Sequence, residues 1–237
     1  MATSETIRCW RCQSEVPVAV LCSRCEAVQP LPTDLDYFRV LGVERNPALD
    51  EAALSTRYYE LSRRLHPDLY QTASAQEREA SLHNSAIVNR AYRTLRDPAQ
   101  RGVYWLEFHG QKLGANNNRV PPQLASLVFA VQEQLEELRD ARRAGKQAEV
   151  DDALSQLRTQ LEEQRAQTQT ALTRNFSRWQ EHTGESSSLS SGGGQDDSPS
   201  PETSALLAEL KSVLSEMAYL RTLLRDVEKE NEVSWNA

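Results

Sequence analysis

No stretch of this sequence approaches the roughly 20 consecutive apolar residues that cross a bilayer as a helix, so no membrane partner is expected. The opening, Met1-Ala2-Thr3-Ser4-Glu5-Thr6, has neither the apolar core of a secretory signal nor the arginines of a transit peptide. A cytoplasmic location is therefore expected. Basic charge is not in excess: 27 Lys and Arg stand against 34 Asp and Glu, a formal net charge of −7, which disfavours a nucleic-acid role for the whole protein. Alternating runs of strand type are scarce, the longest being Val16 to Leu21. Groupings that carry catalysis are missing too. There is no nucleophile motif, no diagnostic carboxylate pair and no phosphate-cradling glycine loop, so the chain is not expected to be an enzyme. Nor is there any cysteine beyond Cys25.

That last absence makes the cysteines at the start informative. Cys9-Trp10-Arg11-Cys12 and Cys22-Ser23-Arg24-Cys25 form two CxxC pairs within residues 1–32. Each pair can chelate through one tight knuckle, and together Cys9, Cys12, Cys22 and Cys25 supply the tetrahedral thiolate set that Zn²⁺ prefers. With four positions filled by protein, such a site is structural. So short a segment buries little core, and metal ligation would supply its stability. Zinc is favoured over iron. Disulfides suit a reducing cytoplasm poorly. A thiol oxidoreductase would expect a βαβ setting absent here. A zinc-ribbon contact with nucleic acid has only Arg8, Arg11 and Arg24 in its favour.

The rest of the chain is rich in Leu, Ala, Gln, Glu and Arg, and its apolar periodicity is helical. Leu54, Tyr58, Leu61 and Leu65 make one stripe. Ser74 and Glu77 have capping-box spacing and open a second run, with Ile87, Val88, Ala91, Tyr92 and Leu95 on one side. Between the two runs lies His66-Pro67-Asp68, where proline should stop the first helix. Asp36 to Gly42 reads as a short helix with an Asp cap and a Gly stop. Asp97-Pro98 starts another. Gly110 and Gly114 to Asn118 mark a linker, 109–119.

Three further helices follow in 120–237. The first, Pro121 to about Arg143, carries Leu124, Leu127, Val128, Val131, Leu135 and Leu138. After Gly145 a long run to about His182 carries Val150, Leu154, Leu157, Leu161, Leu172, Phe176 and Trp179. The Ser/Gly/Pro-rich segment 183–203 reads as a flexible loop. The last helix, about 201–230, has the heptad Leu206, Leu210, Val213, Met217, Leu220, Leu224, Val227. That heptad could be a dimer seam. Three helices with matching stripes can instead bury one another as a three-helix bundle, the preferred reading.

An aligned helix, a His-Pro-Asp loop and a second helix resemble a J domain, here spanning 33–108. Ser85 to Pro98, with Arg101 and Tyr104, is similar to the iron–sulfur co-chaperone family HscB rather than to general DnaJ proteins. No Gly/Phe-rich stretch and no CxxCxGxG repeats occur. The cysteine-bearing start resembles the longer HscB form with a four-cysteine metal site. The fold expected is therefore all-α: a J-domain hairpin, a C-terminal three-helix bundle and a small N-terminal zinc-knuckle module.

The resemblance implies a co-chaperone acting by contact. His66, Pro67 and Asp68 would dock on a DnaK/HscA-type ATPase chaperone and trigger hydrolysis there, with Arg57, Arg63 and Arg64 as an adjoining basic surface. General DnaJ proteins usually carry Arg where Tyr59 stands; here the charge sits at Arg57, as in HscB-like proteins. The bundle would hold an IscU-type iron–sulfur scaffold through Phe129, Glu133, Glu137 and Tyr219. Ala125, Ser126 and Ala130 stand where the family usually has larger apolar or acidic side chains, which leaves a J protein with a different client as the alternative.

Overall fold

The computed structural model of the chain describes residues 6–32, 35–114, 120–189 and 200–235. They form two compact units, Met1–Arg101 and Gly102–Ala237, that divide inside one helix. Among the described residues the only sheet is a two-stranded hairpin, and no helix is long and apolar enough to cross a membrane.

In the first unit, β1 (Thr6–Arg8) pairs antiparallel with β2 (Glu15–Pro17), Ile7 facing Val16. Helix α1 (Tyr37–Leu41) starts where Asp36 accepts a hydrogen bond from the Arg39 N–H at 3.0 Å. It ends at Gly42, whose φ of 66° is left-handed and suits glycine. Helix α2 (Glu51–Arg64) is capped by Asp50 and gives way to a 3₁₀ turn, Pro67–Tyr70. Helix α3 (Ala75–Arg96) opens with the expected capping box of Ser74 and Glu77. Apolar stripes bring α2 and α3 together: Leu54, Leu61 and Leu65 from one side, Val88, Ala91, Tyr92 and Leu95 from the other, are all buried. Tyr58 stacks on Tyr92 with ring centroids 3.9 Å apart and donates to Asn89 Oδ1 at 2.8 Å. Phe38 and Leu41 of α1 are wholly buried. Burial of one such side chain contributes about 1.5–3 kcal/mol, so the hairpin has a core of its own.

Helix α4 (Pro98–Phe108) carries the division between the units. Its second half belongs with the bundle: Trp105 meets Trp179 edge-on at 5.4 Å, and a Cβ placed on Gly102 would come within 3.1 Å of Leu214. A 3₁₀ turn, Pro122–Leu124, leads into α5 (Ala125–Arg143). Gly145, at φ 79°, makes the break before α6 (Gln147–Leu189), and α7 (Pro201–Trp235) completes the bundle. Leu206, Leu210, Val213, Leu220, Leu224 and Val227 of the heptad are buried within the chain. Val150, Leu154, Leu157 and Leu161 of α6 share a core with Val128, Val131 and Leu135 of α5 and the lower half of α7. A dimer seam is not needed to cover the heptad.

One expectation is corrected. Of the segment 183–203 expected to be a loop, α6 remains helical to Leu189 and α7 already begins at Pro201. A long helix, once nucleated, gains a backbone hydrogen bond for each residue added and runs on through polar sequence. The remainder, 190–199, and the linker residues 115–119 lie outside the described residues.

Candidate functional site

The four cysteines fold into two matching knuckles. In the first, the Cys9 N–H donates to Ser14 O and the Gln13 N–H to Cys9 O, both at 2.9 Å. In the second, the Cys22 N–H donates to Ala27 O at 2.9 Å and the Glu26 N–H to Cys22 O at 3.0 Å. Gln13 and Glu26, each just past the second cysteine of its pair, take left-handed φ values of 61° and 59°. All four thiols are free, and their sulfurs lie within 4.8 Å of one another. Cys9 Sγ stands 3.6 Å from Cys25 Sγ, and Cys12 Sγ 3.8 Å from Cys22 Sγ. Sulfurs about 2.3 Å from a tetrahedral Zn²⁺ are about 3.8 Å apart, so the spacing fits a metal ion.

The electrostatics of the cluster also suit a cation. Hydrogen bonding from the Ser14 backbone, then from its side chain, brings the Cys12 thiol down to about 6. At Cys25 the Ala27 backbone pulls downward, but burial and the three neighbouring thiols prevail and push it up to about 12. Burial raises Cys9, yet hydrogen bonds from the backbone of Cys12 and Arg11 leave it lowered. Successive thiolates oppose one another, and only a bound cation lets all four ionise together. N–H groups of Cys12 and Arg24 point at Cys9 Sγ and Cys22 Sγ, at 3.5 and 3.4 Å, as donors to thiolate.

The module is tied to the helical hairpin. Gln29, almost fully buried, donates through Nε2 to Cys9 Sγ at 3.4 Å and to Ala27 O at 2.9 Å. Its own carbonyl accepts from Asn84 Nδ2 of α3 at 2.7 Å. Glu26 Oε1 meets Arg64 at 3.1 Å, and Arg11 reaches Glu77 at 3.8 Å. None of these contacts was legible as a pair in the sequence. Ser81 and Asn84, however, occupy the same helical stripe as Val88, Ala91 and Leu95, and polar residues in a core stripe are a signal of buried hydrogen bonds.

His66-Pro67-Asp68 stands exposed where α2 turns into α3. Pro67 occupies the first position of the 3₁₀ turn and His66 caps it, with Nδ1 accepting from the Asp68 N–H at 3.3 Å. An accepting Nδ1 places the ring proton of a neutral imidazole on Nε2. The Leu69 N–H returns to His66 O at 2.9 Å, and Tyr70 donates its hydroxyl to Arg64 O at 2.8 Å. Below the turn, Ser81 and Ser85 both donate to Leu65 O, at 2.7 and 2.9 Å. Both ends of the triplet are thereby anchored, and its side chains stay exposed even though Asp68 Oδ1 accepts from Gln71 Nε2 at 3.4 Å and Oδ2 lies 3.5 Å from His66 Nδ1.

The three arginines differ in freedom. Arg57 donates to Leu41 O at 3.0 Å and to Glu60 at 3.1 Å, so it also braces α1 against α2. Arg63 is exposed, bonded only weakly to Tyr59 O at 3.3 Å, and Arg64 is engaged with Glu26. Tyr59 and Leu69, 58% and 64% exposed, are large apolar surfaces near the turn.

On the bundle, Phe129 is 69% exposed, and Glu133 and Glu137 follow it along one face of α5 at four-residue steps. Ala125, Ser126 and Ala130 are exposed beside them. Tyr219 is different, being half-buried and packed against the bundle core.

Comparisons with known proteins agree with this geometry. The DnaJ domain family model matches residues 36–104. An Arabidopsis thaliana protein, the iron-sulfur cluster co-chaperone protein HscB homolog, is 29% identical over 65% of this chain and 57% of its own length. The human iron-sulfur cluster co-chaperone protein HscB is 36% identical over 46% of this chain and 48% of its own length. The chain thus spans about half the length of these curated relatives. The crystal structure of human co-chaperone protein HscB covers 95% of this chain and 98% of its own, with a TM-score of 0.66 at 23% identity, a likeness of fold. The co-chaperone protein HscB homolog of Ralstonia nicotianae is 35% identical over 56% of this chain and 73% of its own length. A His-Pro-Asp hairpin inside a matched J domain, and that extent of identity, make this chain a member of the HscB family of J-domain co-chaperones, in the form with an N-terminal four-cysteine module.

Proposed function

We propose that the protein is a co-chaperone of iron–sulfur cluster assembly that docks on a DnaK/HscA-type chaperone, stimulates its ATPase and delivers an IscU-type scaffold. The observation that carries this reading is the exposed His66-Pro67-Asp68 turn, anchored at both ends and fixed by proline. A loop held in one conformation meets its partner with little entropy left to lose. His66 would present Nε2–H and Asp68 its carboxylate, with Arg63 the least engaged of the adjoining cations and Arg57 and Arg64 partly committed to internal bonds. The protein itself breaks no bond; hydrolysis takes place on the partner.

The functional parts follow the sequence bounds: a metal module at 1–32, a J domain at 33–108, a linker at 109–119 and a scaffold-binding bundle from 120. In the first, Cys9, Cys12, Cys22 and Cys25 hold one Zn²⁺. The metal supplies a structural crosslink between the two knuckles, and a reducing compartment such as the cytoplasm keeps the thiols available to it. On the bundle, Phe129, Glu133 and Glu137 meet the scaffold, with Tyr219 contributing its exposed part. The small Ala125, Ser126 and Ala130 beside Phe129 reduce the contact area, which favours a J protein with another client as the second reading.

Single-turnover ATP hydrolysis by the chaperone of the native host, with and without this protein, tests the proposal. His66→Gln should leave helicity unchanged and abolish stimulation, because His66 lies outside both helices. Equal stimulation by the variant would end the J-domain reading of the turn.

A further inference from the structure

We propose that Gln29 and Glu26 are positioning residues that transmit metal occupancy of the four-cysteine site to the His66-Pro67-Asp68 turn. The proposal rests on the metal reading above. It concerns what the metal does for a surface formed by other parts of the chain.

Two routes run from sulfur to the turn. Along the first, Gln29 Nε2 donates to Cys9 Sγ at 3.4 Å while Gln29 O accepts from Asn84 Nδ2 at 2.7 Å. Asn84 lies on α3 between Ser81 and Ser85, the two hydroxyls that bind the carbonyl of Leu65, and Leu65 precedes His66 directly. Gln29, Asn84 and Ser81 are all within 1% of complete burial, so water is not at hand to replace a lost bond. Asn84 Oδ1 already lacks a hydrogen-bond partner among the described residues. If the knuckles relax and withdraw Gln29, the buried side chain of Asn84 loses the bond that Gln29 O accepts from it, and the first half of α3 must shift or admit water.

Along the second route, Glu26 at the tip of the Cys22–Cys25 knuckle pairs with Arg64 at 3.1 Å, two residues before His66. Glu26 sits at φ 59°, where glycine would be comfortable and glutamate is strained. Gln13 takes the same backbone in the other knuckle, so the knuckle itself requires it; at position 26 the side chain it carries is a carboxylate that spans from the metal loop to the last turn of α2. Arg11, in the other knuckle, reaches Glu77 of the α3 capping box at 3.8 Å. Both knuckles thus touch the helix ends that flank the turn.

Full-length protein loaded with Co²⁺ as a spectroscopic probe, and the same protein stripped by a chelator, would be compared by hydrogen exchange. Metal removal should speed exchange across residues 64–78 by about tenfold or more while 154–161 in the bundle keep their protection. Glu26→Gly relieves the left-handed strain and deletes the carboxylate. It should bind Co²⁺ as well as the parent yet show faster exchange near the turn, a combination that a purely local role in the knuckle would not give. Gln29→Met should shift the thiolate-to-cobalt charge-transfer band and release metal to a chelator roughly tenfold faster, as loss of a donor to a ligand does. Failure to form a tetrahedral cobalt–thiolate spectrum would overturn the metal reading and this proposal with it. Bound Co²⁺ with identical exchange at 64–78 in the loaded and stripped protein would overturn this proposal alone.

Discussion

Cys12 and Cys25 show how differently one residue type behaves a few ångströms apart. Cys12, brought down to about 6 by hydrogen bonds from Ser14, ionises readily, whereas Cys25, pushed up to about 12 by burial and its fellow thiols, does so only beside a cation. Metal binding displaces protons from the sulfurs, so affinity should fall as pH falls and should weaken most steeply near and below pH 6, where Cys12 too takes up a proton. Cys22→Ser removes one of four ligands and should abolish stoichiometric metal in protein purified under reducing conditions, as elemental analysis would show. Full metal content in that variant would exclude the four-thiolate site. The four-thiol cluster was legible from the two CxxC pairs alone. The left-handed Gln13 and Glu26 were not, because neither is glycine and only the knuckle hydrogen bonds require that backbone.

Among the elements, α2, α3 and the three bundle helices could be read because each carries one strong apolar stripe with a cap or a breaker at its end. Asp36, Asp50, the Ser74–Glu77 box and Gly145 stand at the boundaries. The end of α6 could not, since its last turns hold no stripe to mark a limit. Surface assignments on α5 and α7 fared unequally for a physical reason. A helix stripe says which face is buried, and Phe129 lies off the stripe, whereas Tyr219 adjoins the heptad residue Leu220 and is drawn partly into the core. The two aromatics should therefore separate on mutation. Phe129→Ala should weaken scaffold binding by about tenfold or more, roughly 1.4 kcal/mol, without lowering the melting temperature. Tyr219→Ala should lose binding and stability together. Calorimetric titration against the host's scaffold, beside a thermal melt of each variant, distinguishes them. An unchanged affinity for Phe129→Ala would take this face of α5 out of the interface.

In the molecule as a whole, stability comes from two unlike sources. The first unit combines a helical hairpin of modest core with a small module in which Cys9, Val16 and Cys22 form one cluster and Val20, Val28 and Leu31 are also buried, a core that a metal at the four cysteines would reinforce. The second is a bundle in which Leu154, Leu157, Leu161, Leu220 and Leu224 are all buried in one core. Perturbations should therefore sort by unit. Leu161→Ala opens a cavity in the bundle at a wholly buried position and should cost about 2–5 kcal/mol there. A chelator should act on the first unit, because the binding free energy of a metal at the four cysteines would be folding free energy for the knuckles and, through Asn84 and Arg64, a support for the hairpin. Hydrogen exchange resolved by peptide can follow both in one sample. Leu161→Ala should deprotect α5, α6 and α7 with metal content unchanged, and chelation should deprotect residues 6–32 and the flanks of the turn with α6 unchanged. Loss of bundle protection on chelation would show that the metal supports the second unit as well, contrary to the separation of their cores.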